Sequence, residues 1–230
     1  MSGPGLAGRT VVVLGGTGNL GRAVVERLHA DGATVIAADA RVPAADAQQP
    51  GVSYLAVDAL DEASVAAGFG SLPAPPQAVV NLIGGYTPPQ PLKSLDIAVL
   101  RQQIELNLVS AAIITKHALP LLGAHGGGVI VHTSSRVATE NGENTFAYSV
   151  GKLGVVRLVE AAAAEGRASG VRVNGILPSI IDTPPNRAAL PDAPHELWPK
   201  PAEIAAVLAF LVGDDAALIS GASIPVYGRV

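Results

Sequence analysis

The sequence predicts an α/β protein, a single doubly wound domain whose mainly parallel sheet of about seven strands is flanked by helices. Short β-branched runs alternate with helical segments along the whole chain. A glycine-rich turn joins the first apolar run directly to the first helical segment, which is typical of a βαβ unit. No internal repeat or interdomain linker interrupts this alternation, so residues 1–230 are expected to form one domain.

The composition excludes several classes of function. Of the 230 residues, 49% are hydrophobic and 15% are charged, and the net charge is −4 with the basic residues scattered, so nucleic acid is not an expected partner. No apolar run reaches the roughly 18 residues of a membrane span. The chain has no cysteine, and its N-terminus lacks the features of a signal peptide, so we expect a cytoplasmic protein. The five histidines show no metal-ligand spacing, and no metal site is expected.

The first strand and helix enclose a glycine fingerprint. Thr10–Leu14 is a β-branched run typical of a strand buried on both faces, and Arg22–Ala30 follows as an amphipathic helix. Between them Gly15 permits a tight turn, Gly18 lets the backbone approach a pyrophosphate, and Gly21 lets the helix pack closely, as in a Rossmann-type unit. An ordinary glycine-rich turn is the alternative. The expected cofactor contacts here are Gly15, Thr17, Gly18, Asn19, Leu20 and Gly21.

The second strand indicates which dinucleotide binds. Thr34–Ala38 ends at Asp39, about twenty positions after the glycines, where a carboxylate bonds the adenosine ribose 2′-hydroxyl. A carboxylate there repels a 2′-phosphate, so NAD(H) is preferred. Arg41 could pair with such a phosphate, which leaves NADP(H) open, and a solvated acid at the end of a strand is the alternative for Asp39.

Two further strands deliver groups to the same edge of the sheet. Val52–Val57 is followed by Asp58, which either bonds the adenine amino group or, like Asp61, caps the next helix. Ala78–Ile83 runs into Gly84, and both Ile83 and Gly84 are expected beside the cofactor. The amide of Asn81, within this strand, could hold neighbouring strands together.

The next segment contains one buried amide and one exposed aromatic side chain. A helix is predicted over Leu95–Leu122, and Asn107 lies in its apolar sequence, where an amide must be hydrogen-bonded. Asn107 is either a satisfied core residue or a group that holds water or backbone near Lys152. Tyr86 opens the loop at the carboxyl end of the fourth strand and is a candidate substrate contact.

The residues after the predicted fifth strand include hydroxyl and amine side chains that we expect to lie close together. Val129–Thr133 delivers Ser134 and Ser135 to the carboxyl edge of the sheet. Tyr148 opens a helix that extends to about residue 168, and Lys152 lies one turn further on the same face. An ammonium beside a phenol favours the phenolate and lowers its pKa, which suits Tyr148 to proton exchange with a reacting carbonyl.

The C-terminal part supplies two more strands and a loop. The sixth strand is predicted at Val171–Leu177, the last helix at Pro201–Val212 and the last strand at Ala222–Tyr227. Residues 184–200 show no clear period and are expected to form an irregular loop over the substrate site. His195 and Trp198 are candidate substrate contacts, with packing of the loop as the alternative for Trp198.

The sequence resembles the short-chain dehydrogenase/reductase family over essentially the whole chain. The matching elements are the glycine fingerprint, Asn107, Ser135 and Tyr148-x-x-x-Lys152, and Ser135 precedes Tyr148 by the family's thirteen positions. The resemblance implies that Tyr148 is the general acid/base, that Ser135 bonds the substrate oxygen, and that Lys152 bonds the nicotinamide ribose and tunes Tyr148. It implies that Asn107 holds a proton-relay water.

The segment after the sixth strand adds to this resemblance. P-S-I-I-D-T, at 178–183, is similar to the family's P-G-x-x-x-T. The resemblance implies that this segment meets the carboxamide and phosphates through Pro178, Ile181 and Thr183.

Within the family, the chain is most similar to the dihydropteridine-reductase-like subgroup. The shared features include V-L-G-G-T-G-N-L-G, the I-G-G-Y segment and L-P-S-I-I-D-T-P-x-N-R. This subgroup prefers NADH, in keeping with Asp39, but generally lacks the serine present here as Ser135. A hydroxyl at that position suits a carbonyl or alcohol better than a quinonoid pterin.

These observations predict an NAD(H)-dependent oxidoreductase that transfers hydride between nicotinamide and a small carbonyl or alcohol substrate. Reduction of a pterin is one alternative, and a non-catalytic NAD(H)-sensing regulator is another. The resemblance implies a homodimer or homotetramer, formed through the apolar helices at about 95–122 and 146–168.

Overall fold

The computed structural model describes residues 5–140 and 142–229. Within that part of the chain, seven strands form one sheet in the order β3-β2-β1-β4-β5-β6-β7, and every neighbouring pair is parallel. The predicted doubly wound α/β fold is therefore confirmed. The strands are β1 (Thr10–Leu14), β2 (Thr34–Asp39), β3 (Ser53–Ala56), β4 (Ala78–Asn81), β5 (Gly128–Thr133), β6 (Val171–Pro178) and β7 (Ser223–Val226).

Helices cover both faces of the sheet. They are α1 (Asn19–Ala30), α2 (Glu62–Gly70), α3 (Ile97–Ile104), α4 (Ser110–Ala124), α5 (Phe146–Gly166), α6 (Pro184–Ala189) and α7 (Pro201–Val212). Alternate residues of β1 enter different cores, because successive side chains of a strand point to opposite faces. Val11 and Val13 pack in the core that contains α1 and α7, whereas Val12 and Leu14 pack in the core that contains α4 and α5.

The order of the strands reverses direction at β1 and β4, where β2 and β3 continue on one side and β5 to β7 on the other. Ligands of open α/β sheets bind outside the carboxyl ends of the strands at such a switch point. The glycine turn follows β1 and the Ile83–Gly85 segment follows β4, so both meet at this crevice.

The fourth strand is shorter than predicted. It ends at Asn81, because the backbone N–H of Ile83 donates to the side-chain Oδ1 of Asn81 at 3.0 Å instead of continuing the ladder. The chain then leaves the sheet and turns toward α3.

The loop predicted at 184–200 is not irregular throughout. Pro184 and Pro185 open the short helix α6, because proline is compatible with the first helical turn, where its missing N–H is not needed. A single 3₁₀ turn at His195–Leu197 follows. Residues 190–194 and 198–200 are the parts of this segment that lie outside regular helical turns.

The helix predicted at Leu95–Leu122 is interrupted by a π-helical turn. It runs as α3 and α4, and Glu105–Val109 forms the wider turn between them. The whole segment, Ile97–Ala124, is the one helix of the described residues that is long and apolar enough to cross a membrane by length and composition alone. Length and composition alone are weak evidence that this segment spans a membrane. The same apolar surface suits the predicted contact between subunits.

Candidate active site

The packing of the glycine turn shows which glycines the protein itself requires. Gly15 has a φ of 79°, and a Cβ on Gly21 would lie 2.1 Å from the carbonyl oxygen of Gly15. The sequence pattern missed Gly16, whose Cβ would lie 2.9 Å from that of Ala37. A Cβ on Gly18 would meet only the Gly15 carbonyl oxygen at 3.5 Å, which is an ordinary contact. The fold leaves open space at Gly18.

The N-terminus of α1 fits a pyrophosphate. Gly18 occupies the N-cap position with extended backbone, and no side chain caps the helix. Its first N–H groups, at Asn19 to Gly21, are therefore available to an anion, which the helix dipole also favours. Thr17, Asn19 and Leu20 lie in this turn as predicted.

Asp39 is held against the glycine turn. The Thr17 hydroxyl donates to its Oδ2 at 2.6 Å, the Thr17 N–H donates to the same oxygen at 3.3 Å, and the Ala40 N–H donates to Oδ1 at 2.9 Å. A merely solvated acid at the end of a strand would not have these partners. Arg41 is exposed at the start of the next segment.

Asp58 and Asp61 have separate local roles. The side chain of Asp61 caps α2 by accepting from the Ala63 N–H at 2.9 Å. Asp58 is exposed, and its Oδ1 accepts from the Leu60 N–H at 2.9 Å, which closes a turn. Asp61 is therefore the cap, and Asp58 lies at the end of β3 where an adenine contact was predicted.

Asn107 braces the segment that follows β4. Its Oδ1 accepts from the Gly85 N–H at 3.1 Å, and its Nδ2 donates to the Gly85 carbonyl and the Gln103 carbonyl, each at 3.0 Å. The residue is only 1% exposed and lies in the π-helical turn. Protein groups occupy its amide, so Asn107 is a satisfied buried asparagine that also holds backbone near Lys152, which is one of the two roles expected for it.

The two adjacent serines face different partners. Ser134 is buried, and its Oγ donates to the carbonyl oxygen of Lys152 at 2.7 Å, which ties the end of β5 to α5. Ser135 continues in extended backbone, and its side chain is close enough to the Tyr148 phenol to lower the pKa of that group. Ser134 is thus a structural anchor, and Ser135 is the serine that meets the phenol.

Lys152 is buried behind the phenol. Its Nζ donates to the Thr133 carbonyl oxygen at 2.9 Å and lies 5.9 Å from the centre of the Tyr148 ring. Burial lowers the pKa of Lys152 to about 8. A Cβ on Gly84, whose φ is 154°, would lie 2.6 Å from this Nζ, so a glycine is needed there.

The expected lowering of the Tyr148 pKa is not found in the protein alone. Burial raises the pKa of Tyr148, the hydrogen bond with Ser135 lowers it, and the nearby Tyr86 phenol raises it further. The ammonium of Lys152 does not offset the burial, because it is directed to the Thr133 carbonyl. The phenol is therefore in its protonated form near neutral pH.

Of the three candidate substrate contacts, the structure brings one to the phenol. The Tyr86 ring lies edge-on to that of Tyr148, with 5.1 Å between the centroids, and is 60% exposed. Trp198 is 4% exposed and packs at 4.6 Å on the ring of His195, whose Nε2 bonds the Leu190 carbonyl at 2.7 Å. His195 and Trp198 therefore hold their loop together, as the alternative for Trp198 proposed.

The segment after β6 is tied to α6. Pro178 is the last residue of β6, and the carbonyl of Ile181 accepts from the Asn186 side chain at 2.8 Å. Thr183 precedes α6 and is 8% exposed. Pro178, Ile181 and Thr183 therefore lie at or just after the carboxyl end of β6, the edge of the sheet at which the cofactor is expected.

Comparisons with known proteins agree with this arrangement. A family model described as enoyl-(acyl carrier protein) reductase matches residues 16–228. The chain belongs to the short-chain dehydrogenase/reductase family. It is 34% identical to cis-4-hydroxycyclohexanecarboxylate dehydrogenase of Sinomonas cyclohexanicum, with 98% of each chain covered. It is also 33% identical to cyclohexanol dehydrogenase of Acinetobacter sp. strain SE19, over 59% of this chain and 56% of that one.

A solved structure shows the same family likeness. A protein assigned as an NAD(P)-dependent gluconate 5-dehydrogenase from Beutenbergia cavernae, with NADP bound at low occupancy, superposes with a TM-score of 0.87. It is 27% identical, and 98% of each chain is covered. The chain is thus an NAD(P)-binding short-chain oxidoreductase that acts on alcohol or carbonyl substrates. The comparisons do not specifically support the dihydropteridine-reductase-like subgroup.

Proposed function

We propose that this short-chain dehydrogenase/reductase interconverts a ring-borne secondary alcohol and its ketone with NAD(H), and that Tyr148 is the general acid/base. The observation that carries the proposal is the half-buried Tyr148 phenol, whose pKa the Ser135 side chain lowers and whose ring centre lies 5.9 Å from Lys152 Nζ. These three residues lie at the carboxyl edge of the sheet. We place the cofactor and substrate sites together within a single domain.

The chain's own residues fit a dinucleotide. The uncapped N-terminus of α1 and the open space at Gly18 suit a pyrophosphate, and Asp39 suits a ribose hydroxyl. Asp58, Ile83, Gly84, Pro178, Ile181 and Thr183 would line the remaining length of the cofactor. When bound, the nicotinamide gives or accepts the hydride.

Three side chains manage the proton. In the reductive direction Tyr148 starts as a neutral phenol and gives its Oη proton to the oxygen that develops negative charge. Ser135 donates a second hydrogen bond to the same oxygen, where fixed donors are most effective because the charge appears only in the transition state. Lys152 stabilises the phenolate that is left, and its pKa of about 8 lets it exchange a proton near neutral pH.

The preference for NAD(H) rests on Asp39. Its carboxylate is fixed to Thr17 by the 2.6 Å hydrogen bond, so it stays near the turn and repels a 2′-phosphate. The NADP in the Beutenbergia cavernae protein shows that NADP binding is compatible with this fold. We assign NAD(H) to this chain on the position of its own carboxylate.

The substrate class is proposed from two observations. The two relatives described above are named for alcohols on a cyclohexane ring. The exposed Tyr86 ring beside Tyr148 offers a flat apolar wall to such a ring. Neither observation favours a pterin, and a non-catalytic NAD(H) sensor does not account for the serine beside the phenol. We place the enzyme in the cytoplasm, as a homodimer or homotetramer.

The test uses the purified chain. Quenching of protein fluorescence by NADH and NADPH measures both dissociation constants, and absorbance of NADH follows oxidation of cyclohexanol, 4-hydroxycyclohexanecarboxylate and an acyclic secondary alcohol. We expect tighter binding of NADH and faster oxidation of the cyclic alcohols. Binding without turnover of any alcohol, or turnover only of a quinonoid pterin, would overturn the proposal.

A further inference from the structure

A buried histidine outside the predicted site is linked to it through a continuous hydrogen-bond chain. His132, on β5, is fully buried; its Nδ1 lies 3.1 Å from Asn81 Nδ2 on β4, and its Nε2 lies 3.0 Å from Thr115 Oγ1 on α4. The Thr115 hydroxyl in turn donates to the Ala111 carbonyl at 2.7 Å. These hydrogen bonds therefore run from helix α4, through β5, to the end of β4.

The partners determine which ring nitrogen carries the proton. The Oδ1 of Asn81 accepts from the Ile83 N–H at 3.0 Å, so its Nδ2 must be the group that faces His132. Nδ1 of His132 is then an acceptor and Nε2 carries the hydrogen, which it donates to Thr115. In this tautomer each contact of the hydrogen-bond chain pairs one donor with one acceptor.

At its Asn81 end, the hydrogen-bond chain reaches the backbone segment beside Lys152. Asn81 fixes Ile83, and Asn107 fixes Gly85 through two hydrogen bonds. Gly84 is thus held from both sides, and the space beside it contains Lys152 Nζ. A shift of Ile83 would move Gly84 toward or away from that ammonium.

We propose that His132, as the neutral Nε2–H tautomer, is a positioning residue that sets the Ile83–Gly85 segment for the cofactor through Asn81. This inference rests on the proposed NAD(H) function, because the segment is assigned to the nicotinamide half of the site. The charged group that faces His132 is Lys152 of α5, and its Asn81 and Thr115 partners are neutral. A protonated, imidazolium form of His132 would place its Nδ1–H against the N–H₂ group of Asn81, which would interrupt the hydrogen-bond chain.

Two substitutions separate positioning from packing. His132→Asn places an amide oxygen near Nδ1 and keeps an acceptor for Asn81, whereas His132→Gln places its amide near Nε2 and keeps only the Thr115 partner. Both create a void in the same core, so both lower the melting temperature. We expect His132→Gln to weaken NADH binding at least about fivefold, as for loss of one buried hydrogen bond, and His132→Asn to bind nearly as the native chain does.

Thr115→Val provides a further control that leaves His132 and Asn81 in place. It should lower stability but leave the dissociation constant for NADH unchanged. Equal NADH affinities for the Asn and Gln variants at His132, or a Thr115→Val variant as weak as His132→Gln, would overturn the positioning role. If the native chain itself does not bind NADH, the proposed function fails instead.

A measurement without cofactor tests the tautomer directly, including when a variant fails to fold. Long-range ¹H–¹⁵N correlation NMR of the native chain distinguishes a protonated Nε2 from a protonated Nδ1. We expect the His132 ring to show the Nε2–H pattern at neutral pH. An Nδ1–H pattern or a charged ring would contradict the hydrogen-bond chain, whatever the cofactor result.

Discussion

The Nζ of Lys152 donates to the carbonyl oxygen of Thr133 at 2.9 Å, although its position one turn from Tyr148 suggested a direct electrostatic partner for the phenol. Lys152 is thereby tied to the end of β5, the same strand that delivers Ser135. In the protein alone, burial is the largest influence on both groups: it raises the pKa of Tyr148 and lowers that of Lys152. Each group is held in its neutral form more strongly than in water.

Replacement of Lys152 by methionine should alter the pH dependence of stability. Burial lowers the pKa of Lys152 from 10.5 to about 8, so the native fold carries the full cost of the buried ammonium below pH 8 and loses that cost as the pH rises to 10.5. The difference in unfolding free energy between Lys152→Met and the native chain is expected to shift by roughly 3 kcal/mol in favour of the native chain across this window.

Urea unfolding below, within and above this window measures the effect. Lys116→Met is the matched control, because the Lys116 side chain is 65% exposed and pairs with Glu62 on the surface. Its difference from the native chain should stay almost constant over the same pH range. A constant difference for Lys152→Met as well would contradict the burial of the ammonium.

Gly18 and Gly21 should respond differently to alanine. The Cβ of Gly18→Ala meets no atom closer than 3.5 Å, so stability should change by less than about 1 kcal/mol. The same Cβ would stand where a pyrophosphate approaches, and NADH binding should weaken by about tenfold or more. Gly21→Ala, whose Cβ would lie 2.1 Å from the Gly15 carbonyl, should lose about 3 kcal/mol or more.

Thermal unfolding and NADH titration of the two glycine variants check this contrast. A Gly18→Ala protein that binds NADH as tightly as the native chain would remove the pyrophosphate from this turn. A stable Gly21→Ala protein would contradict the close packing of α1 on the turn.

Substitution of Asp39 should change the choice of cofactor. Asp39→Asn keeps an oxygen for Thr17 but removes the charge that repels a 2′-phosphate, so the preference for NADH over NADPH should narrow by about tenfold. Titration of both cofactors against the native and variant chains gives the ratio. An unchanged ratio in Asp39→Asn, together with a changed one in Arg41→Ala, would show that Arg41 makes the selection.

Local patterns were sufficient to predict much of the fold. The bounds of β1 and α7 were predicted to the residue, because a glycine turn ends the first and a proline starts the second. The amide of Asn81 was expected to hold strands together, and its contact with His132 across β4 and β5 confirms this. In each case the determining signal lies in the segment itself.

The errors concern interactions between distant segments. The spacing of Tyr148 and Lys152 contains no information about burial, which decides the direction of both pKa shifts. The packing of the His195 ring on that of Trp198 is likewise a tertiary contact that no local pattern contains, and both residues stay candidate substrate contacts. The lack of metal-ligand spacing argued only against a metal site at His132, although a polar residue inside the apolar run V-I-V-H-T was itself a signal of a buried hydrogen-bond network.

The most direct test of the account is the comparison of Tyr148→Phe with the native chain under saturating NADH. Removal of the hydroxyl eliminates the proton donor, so kcat for ketone reduction should fall at least about a hundredfold, while the NADH dissociation constant stays nearly unchanged. Tyr54→Phe is the control, because the Tyr54 hydroxyl bonds Gln49 at the remote edge strand β3. Near-native turnover by Tyr148→Phe would contradict the assignment of Tyr148 as the general acid/base.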